Sequence, residues 1–422
     1  MDRRLFLALG VAGLARSATA QNPLAQGPGG PTAAELLGAT GEAYFIDWLN
    51  AFHARALAAG APREVLDAAL SGLSPDPRVV ALDARQPEVV RPIGDYIRGA
   101  VTSERIAIGR ERMQSTPGLE TIEQVWGVPR EILIAVWAME TKFGALTGDM
   151  DIIRSLATLA ALGRRRAFAE RELMACLEIL KTGQASRERL RGSWAGAMGQ
   201  TQMLPSTYLA SAVDVEGIGQ PDIWNSVADA LASTANLLAK SGWRRDEGWA
   251  REVILPAGFD FGLSEGAGEI PYAWAGRGAV RADGLAWSAA ETDTPCVLLL
   301  PAGAAGPAFL ALPNHFVIRK YNNAVAYALA VGLLADGFAG AAPVIRPWPV
   351  EAPLTLDDRL TAQSTLASLG YNPGAPDGVI GLATRQALRA WQRTQGLPAD
   401  GYLSQDMVQR LRAAASPPAG RG

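Results

Sequence analysis

Prolines at positions 343, 347, 349 and 353, set in a stretch otherwise rich in glycine and alanine ("GFAGAAPVIRPWPVEAP", Gly337 to Pro353), rule out a regular helix or interior strand here. Each proline lacks the backbone N–H that both structures use. The chain must therefore fold as separate units on either side, with residues 337–353 as a flexible linker. A total of 422 residues agrees, because one core of ordinary size stops growing well before that length.

Ahead of the linker, helical spacing dominates to about Trp243. In "AAELLGATGEAYFIDWLNAFHARALAAG", Phe45, Trp48, Leu49 and Phe52 fall at i, i+3, i+4 and i+7, and Gly60 suits a helix cap. Leu156, Leu159 and Ala160 share one further face; Leu173, Cys176, Leu177 and Leu180 share another, ending at Gly183. Trp48, Trp137 and Trp243 fit helical core positions. From about 251 to 313 short apolar runs split by Gly, Pro and Asp predict a β-rich portion, and "CVLLLPAGAAGPAFLALP" reads as a β-hairpin. "YNNAVAYALAVGLLAD" returns to helical period. The expected fold class is mainly α, with a small β-rich insertion inside a unit spanning 33–336 and a small helical module over 354–411, leaving 412–422 as a tail.

Composition removes several function classes. Hydrophobic residues at 49% and charged residues at 19% are a globular balance. Net charge of −3 gives no footprint for nucleic acid. Two histidines, His53 and His315, and two cysteines, Cys176 and Cys296, cannot make a zinc cluster, and both cysteines sit in apolar runs suited to buried free thiols.

The first twenty residues, "MDRRLFLALGVAGLARSATA", combine paired arginines, a short apolar run and a small-residue cleavage site. That is an export signal, and "DRRLFL" resembles the twin-arginine pattern. Residues 21–32 read as a tether. The apolar run is too short to span a bilayer, and no cysteine follows the cleavage site to take a lipid. A periplasmic, soluble protein with no stable membrane anchor is expected.

The chemistry starts at "EILIAVWAMETKFG". Pro129 and Glu131 suit the first turn of a helix, so Glu131 is a structural carboxylate. Glu140 comes near the other end, where the dipole opposes negative charge, with Leu133, Val136 and Trp137 at i−7, i−4 and i−3 on its own face. Desolvation and dipole would both raise its pKa, as a proton donor to a leaving oxygen requires. A carboxylate pointing to water, or paired with an arginine, fits the same spacing. "GSWAGAMGQTQMLPSTY", Gly192 to Tyr208, adds glycines for close backbone approach and neutral Ser and Gln groups suited to an uncharged polyhydroxylated ligand.

"ETKFG", "GSWAGAMGQTQMLPSTY" and "HFVIRKYNNAVAYALAV", in that order, resemble the membrane-bound lytic transglycosylase B family, over roughly Ala33 to Asp336. The resemblance implies a lysozyme-like catalytic domain that cleaves peptidoglycan glycan strands. It makes Glu140 the single catalytic acid and then base. Ser193 and Gln202 match cleft residues holding the acid and the sugar, Tyr321 and Asn322 match a Tyr-Asn pair beside the cleaved bond, and Tyr327 lines the same cleft. The implied reaction closes the C6 hydroxyl of N-acetylmuramic acid onto its own C1, leaving a 1,6-anhydro end.

In a hydrolase, Asp149 or Asp151 could supply a second carboxylate, although Asp151 also suits the N-cap of "IIRSLATLAAL". A wall-binding protein with an idle cleft is the third reading. Some family members carry a calcium loop after the glycine motif. "DVEGIGQPDIWN" keeps Asp214, Glu216 and Asp222 but places Ile218 where an oxygen is needed, which puts calcium in doubt. No cofactor is expected, and no protein partner is legible.

Beyond the linker, Leu369-Gly370-Tyr371, Asp377-Gly378, Gly381, Thr384, Trp391-Gln392, Gly396-Leu397 and Asp400-Gly401 resemble the three-helix peptidoglycan-binding domain. Tethered flexibly, such a module would raise the local concentration of the catalytic domain at the wall.

Overall fold

The computed structural model describes residues 38–84 and 89–415. The expected export signal and tether at 1–32 lie outside the described residues, as do residues 416–422 of the expected tail. No described helix is long and apolar enough to cross a membrane.

The part before the linker is built on two helical cores. In the first, Ala39–Ala58 lays Phe45, Trp48 and Phe52 against Ile152–Leu162 and Arg166–Lys181. Trp48 keeps its indole satisfied by donating from Nε1 to Glu170 at 2.9 Å. The second core surrounds Arg130–Thr141, the acid helix, with Ser103–Ser115, Leu119–Trp126 and Val325–Phe338. Neighbours on every side explain why Ile132 to Ala138 can be apolar without a polar stripe: all seven are buried. Gly332 lets Val325–Phe338 lie flat on an indole, since a Cβ there would come 2.2 Å from Trp249. The helix Val227–Lys240 joins the two cores, with Ala230 in the first and Leu231, Ala232, Ala235 and Leu238 in the second.

The β-rich insertion is a four-stranded antiparallel sheet, in spatial order Val280–Arg281, Ala250–Ile254, Ala308–Ala311, Val297–Leu299. The hairpin expected from "CVLLLPAGAAGPAFLALP" pairs Val297 with Ala311 and Leu299 with Phe309. One face covers its own small core of Val253, Phe259, Trp274, Cys296, Leu298 and Leu310. Cys176 and Cys296 are both buried free thiols.

Gly337 and Phe338 still finish the helix Val325–Phe338; residues 339–353 have no helix or strand, but they are not a loose tether. Glu252 accepts from the backbone N–H of Ile345 at 2.7 Å and of Arg346 at 2.8 Å, Arg346 donates to the Ala304 carbonyl at 2.8 Å, and Trp348 stacks on Phe309 at 6.2 Å. Leu354–Thr355 then pairs antiparallel with Val89–Val90. Proline content forecasts the loss of helix and strand. It says nothing about the backbone donors left over, which the insertion takes up.

The C-terminal module packs Leu356–Ser368, Leu382–Thr394 and Gln405–Ala415 around Leu366, Leu388, Trp391, Val408 and Leu411. Its two Asp-Gly turns use one device twice. Gln363 accepts from Gly378 N at 2.8 Å and donates to Asp377 at 3.1 Å; Gln392 accepts from Gly401 N at 2.8 Å and donates to Asp400 at 2.8 Å. Both glutamines are buried, so each turn is pinned by fully satisfied amides. The helix Leu382–Thr394 lies against the insertion: Glu265 receives Arg385 at 2.7 and 2.9 Å and Arg389 at 2.7 Å, while Asp400 accepts from Ala304 N at 2.8 Å.

Candidate active site

Glu140 occupies the last turn of the acid helix, half-buried above Leu133, Val136 and Trp137. The backbone then turns away at once: Lys142 and Phe143 both take left-handed conformations, with φ of 51° and 59°, before Gly144 at 85°. Two consecutive non-glycine residues there cost about 1 kcal/mol each. The turn is held by Thr141, whose hydroxyl accepts from Gly144 N at 2.9 Å and donates to the Gln200 carbonyl at 2.6 Å.

That last bond belongs to a brace between the cores. Gln200 accepts from Trp137 Nε1 at 3.0 Å and donates to the Trp224 carbonyl at 3.1 Å. Gln202, itself at φ 54°, donates from Nε2 to the carbonyls of Thr147 at 2.9 Å and Gly199 at 3.0 Å. Tyr321 donates to the Thr201 carbonyl from the opposite wall. The glycine turn is thereby fastened to the acid helix and to the tyrosine helix, Pro313–Tyr321.

Glycine is required where the turn closes on itself. A Cβ at Gly192 would lie 2.0 Å from the Ala197 carbonyl oxygen, and one at Gly148, whose φ is 83°, would lie 2.3 Å from the Gly192 carbonyl oxygen. Backbone blocks both. Gly192→Ala should therefore lower stability by about 1–3 kcal/mol and disturb the cleft, read as a lower thermal midpoint and a reduced turnover.

Glu140 has one direct protein partner. Tyr327, buried on Val325–Phe338, donates to Oε1 at 2.6 Å. Oε2 has no hydrogen-bond partner among the described residues. Burial pushes the Glu140 carboxyl up from its ordinary value near 4.5 to about 7, opposed by the Tyr327 bond, which favours the carboxylate. The same surroundings push the hydroxyls of Tyr327 and Tyr321 up, first by burial and then by the Glu140 charge, so both stay neutral donors. Tyr96, an exposed residue on Ile93–Ala100, is raised by desolvation of its hydroxyl and then by the Glu140 charge, which sets a third phenol within electrostatic reach of the acid but in no hydrogen bond to it.

Not every sequence-derived residue converges on the acid in the same way. Tyr327 touches it. Tyr321 and Gln202 brace the walls. Ser193 accepts from Ala197 N at 3.0 Å within its own turn and makes no hydrogen bond to Glu140. Asn322, exposed just beyond the tyrosine helix, makes no side-chain hydrogen bond among the described residues. Tyr96 and the brace role of Gln200 were not legible in the sequence.

Asp151 is a cap: it accepts from Arg154 N at 3.0 Å and pairs with Arg187 at 2.6 Å. Asp149 is exposed and contributes its carbonyl to Arg191 at 2.9 Å. Neither is among the groups that shift Glu140. The residues of the calcium loop do not fit that ion. Asp214 spends both oxygens on the backbone N–H groups of Gly217, Ile218 and Gly219 at 2.7, 3.2 and 2.7 Å, and Ile218 brings no oxygen side chain. Among the described residues no cluster of three or more His, Cys, Asp or Glu side chains could hold a metal.

The family described as Transglycosylase SLT domain matches residues 44–336. The chain belongs to this family. A second match, "Putative peptidoglycan binding domain", covers residues 355–411. Among relatives, membrane-bound lytic murein transglycosylase B of Escherichia coli (strain K12) is 33% identical over 226 residues, spanning 51% of this chain and 58% of that protein's length. Among solved structures, SltB3 from Pseudomonas aeruginosa in complex with NAG-anhNAM-pentapeptide is similar at 45% identity and a TM-score of 0.83, covering 87% of this chain and 99% of that one. The Escherichia coli lytic transglycosylase Slt35 in complex with calcium is similar at 28% identity and a TM-score of 0.58, covering 69% of this chain and 92% of that one. The mainly helical, lysozyme-like class expected from the motifs is the fold of these SLT neighbours.

Proposed function

We propose that the chain is a peptidoglycan lytic transglycosylase, cleaving the β-1,4 bond between N-acetylmuramic acid and N-acetylglucosamine with formation of a 1,6-anhydro end. The observation that carries this reading is a single desolvated carboxyl, Glu140, tied at Oε1 by Tyr327 and open at Oε2, with no second carboxylate acting on it. Its proton, held on Oε2, passes to the glycosidic oxygen as the bond to C1 breaks and the sugar takes on oxocarbenium character. The resulting Glu140 carboxylate removes the proton of the C6 hydroxyl, whose oxygen closes on C1. One proton leaves the carboxyl and one returns, so the acid is restored and no water is consumed. The C6 hydroxyl is held on the reacting ring, which raises its effective concentration above that of water by orders of magnitude.

The roles of the other cleft residues belong to the same proposal. Tyr327 orients the acid, Gln202 and Tyr321 hold the walls, and Ser193 and Asn322 offer groups to the sugar. The C-terminal module binds the wall as a docked part of the enzyme, over the division 33–336, 337–353 and 354–411. Support for the reaction comes from the likeness to SltB3, whose bound ligand carries an anhydro-muramic end. The reading includes export to the periplasm through the N-terminal signal, and catalysis without calcium or another cofactor.

Mass spectrometry of fragments released from purified sacculi tests it. Anhydro-muramic ends are expected. Reducing ends would instead indicate a muramidase, and sacculus binding without release would indicate an idle cleft.

A further inference from the structure

One residue of the glycine turn ties three segments together around the end of the acid helix. Gln200 accepts from Trp137 Nε1 at 3.0 Å through its side-chain oxygen and donates from Nε2 to the Trp224 carbonyl at 3.1 Å. Its backbone accepts from the Thr141 hydroxyl at 2.6 Å and donates to the Ile223 carbonyl at 2.9 Å. The fit is close, since a Cβ at Gly144 would lie 2.2 Å from the Gln200 side-chain oxygen. Its anchor is held in turn: the Tyr208 hydroxyl donates to the Pro221 carbonyl at 2.8 Å, Arg189 pairs with Asp222 at 2.5 Å, and buried Asp229 accepts from Asp222 N at 2.7 Å. The groups that Gln200 grips flank the acid. A helical side chain lies over the turn before its own Cα, so Glu140 covers Val136 and Trp137, and Thr141 follows it directly and closes the helix end onto Gly144 N. Trp137 and Thr141 are both buried, and Phe143 meets the indole edge-on at 5.7 Å.

We infer that Gln200 is a positioning residue for the reaction: through Trp137 and Thr141 it sets the wall behind Glu140, aims the acid and keeps water from that side of it. The inference deepens the lytic transglycosylase reading and rests on it. An amide suits the place because it offers an acceptor to the indole and a donor to a carbonyl at once. An apolar side chain of the same length would leave the Trp137 N–H and the Trp224 carbonyl without partners, and buried groups left in that state recruit water. That water would enter beside the acid. Tyr327 fixes the carboxyl from the opposite helix, so the proton donor is held from two sides by residues of different segments.

The test uses the full chain with Gln200→Met, Trp137→Phe, the double variant, and Trp48→Phe as a matched control, since it removes an indole N–H bonded at 2.9 Å to Glu170 in the other core. Gln200→Met should lower kcat about tenfold, the scale of one buried hydrogen bond, with KM on glycan strands unchanged. The basic limb of its kcat/KM profile, and the carbon-13 midpoint of the Glu140 carboxyl, should move about 0.5 pH lower as water reaches the acid. Trp137→Phe breaks the same indole bond and keeps an aromatic wall, so it should move both readouts the same way, and the double variant should fall short of the sum of the two. Trp48→Phe should lower the thermal midpoint and leave limb and carboxyl midpoint in place. An unmoved carboxyl midpoint in both Gln200→Met and Trp137→Phe, or an equal movement in Trp48→Phe, overturns the inference; if Gln200→Met does not fold, Trp137→Phe alone decides by the same criterion. Failure of the unsubstituted chain to release anhydro ends would instead overturn the lytic transglycosylase reading, while the carboxyl midpoints would still report on Gln200.

Discussion

Glu140→Gln is expected to lower turnover of sacculi by about a thousandfold or more while leaving their binding unchanged, measured by anhydro-end release and by co-sedimentation. General acid–base assistance is worth roughly 10²–10⁴ in rate. In the proposed reaction one group serves both halves, so both would be lost together. Glutamine keeps the volume of the side chain and an oxygen for Tyr327, so the fold should persist. The same variant carries a stability signature. The folded carboxyl titrates near 7 against an ordinary 4.5, so the native state favours the protonated form. That stability is complete below pH 4.5 and is lost as pH rises through 7, by up to about 3 kcal/mol. Glutamine never ionises. At pH 8 the variant should therefore unfold at a higher temperature than the parent chain, and at pH 4 the gap should close. A gap independent of pH would show that Glu140 is not desolvated.

Tyr327→Phe should lower kcat about ten- to a hundredfold with little change in the affinity for sacculi. The phenol donates to Oε1 at 2.6 Å from a buried position and leaves Oε2 without a hydrogen-bond partner among the described residues. Without it the carboxyl is free to rotate, and a hydrogen bond to a charged group, worth about 1.5–3 kcal/mol, is lost from the carboxylate form. Loss of a carboxylate stabiliser raises the Glu140 pKa further. The basic limb of the kcat/KM profile should accordingly move to higher pH in Tyr327→Phe even as its height falls. A lower rate with an unmoved limb would mean that Tyr327 only fills space.

Much of this arrangement was legible because periodicity and motif both reported local facts. The run Ile132 to Ala138 announced a helix buried on all sides, and the carboxylate at its end announced a conflict between burial and charge. The hairpin of the insertion followed from apolar runs and turn residues. What could not be read depended on distant segments. Tyr96 lies 44 positions before the acid in a helix without a motif, and only the packing of Ile93–Ala100 brings it near. Gln200 and Gln202 look alike in sequence, yet only the left-handed backbone at Gln202 and the closeness of Trp137 to Gln200 assign each its brace. The prolines of 337–353 suggested mobility, whereas Glu252, from a strand some ninety residues earlier, fastens that segment down. Composition reports what a segment cannot form; it does not report what will catch it.

Carbon-13 NMR of the Glu140 carboxyl across pH 3 to 10 bears most directly on the central claim, that burial keeps a lone acid protonated where the reaction needs it. A midpoint near 7, absent from spectra of Glu140→Gln, is the predicted result. A midpoint near 4.5 would contradict the account, because Glu140 would then be ionised and without a proton to give at neutral pH.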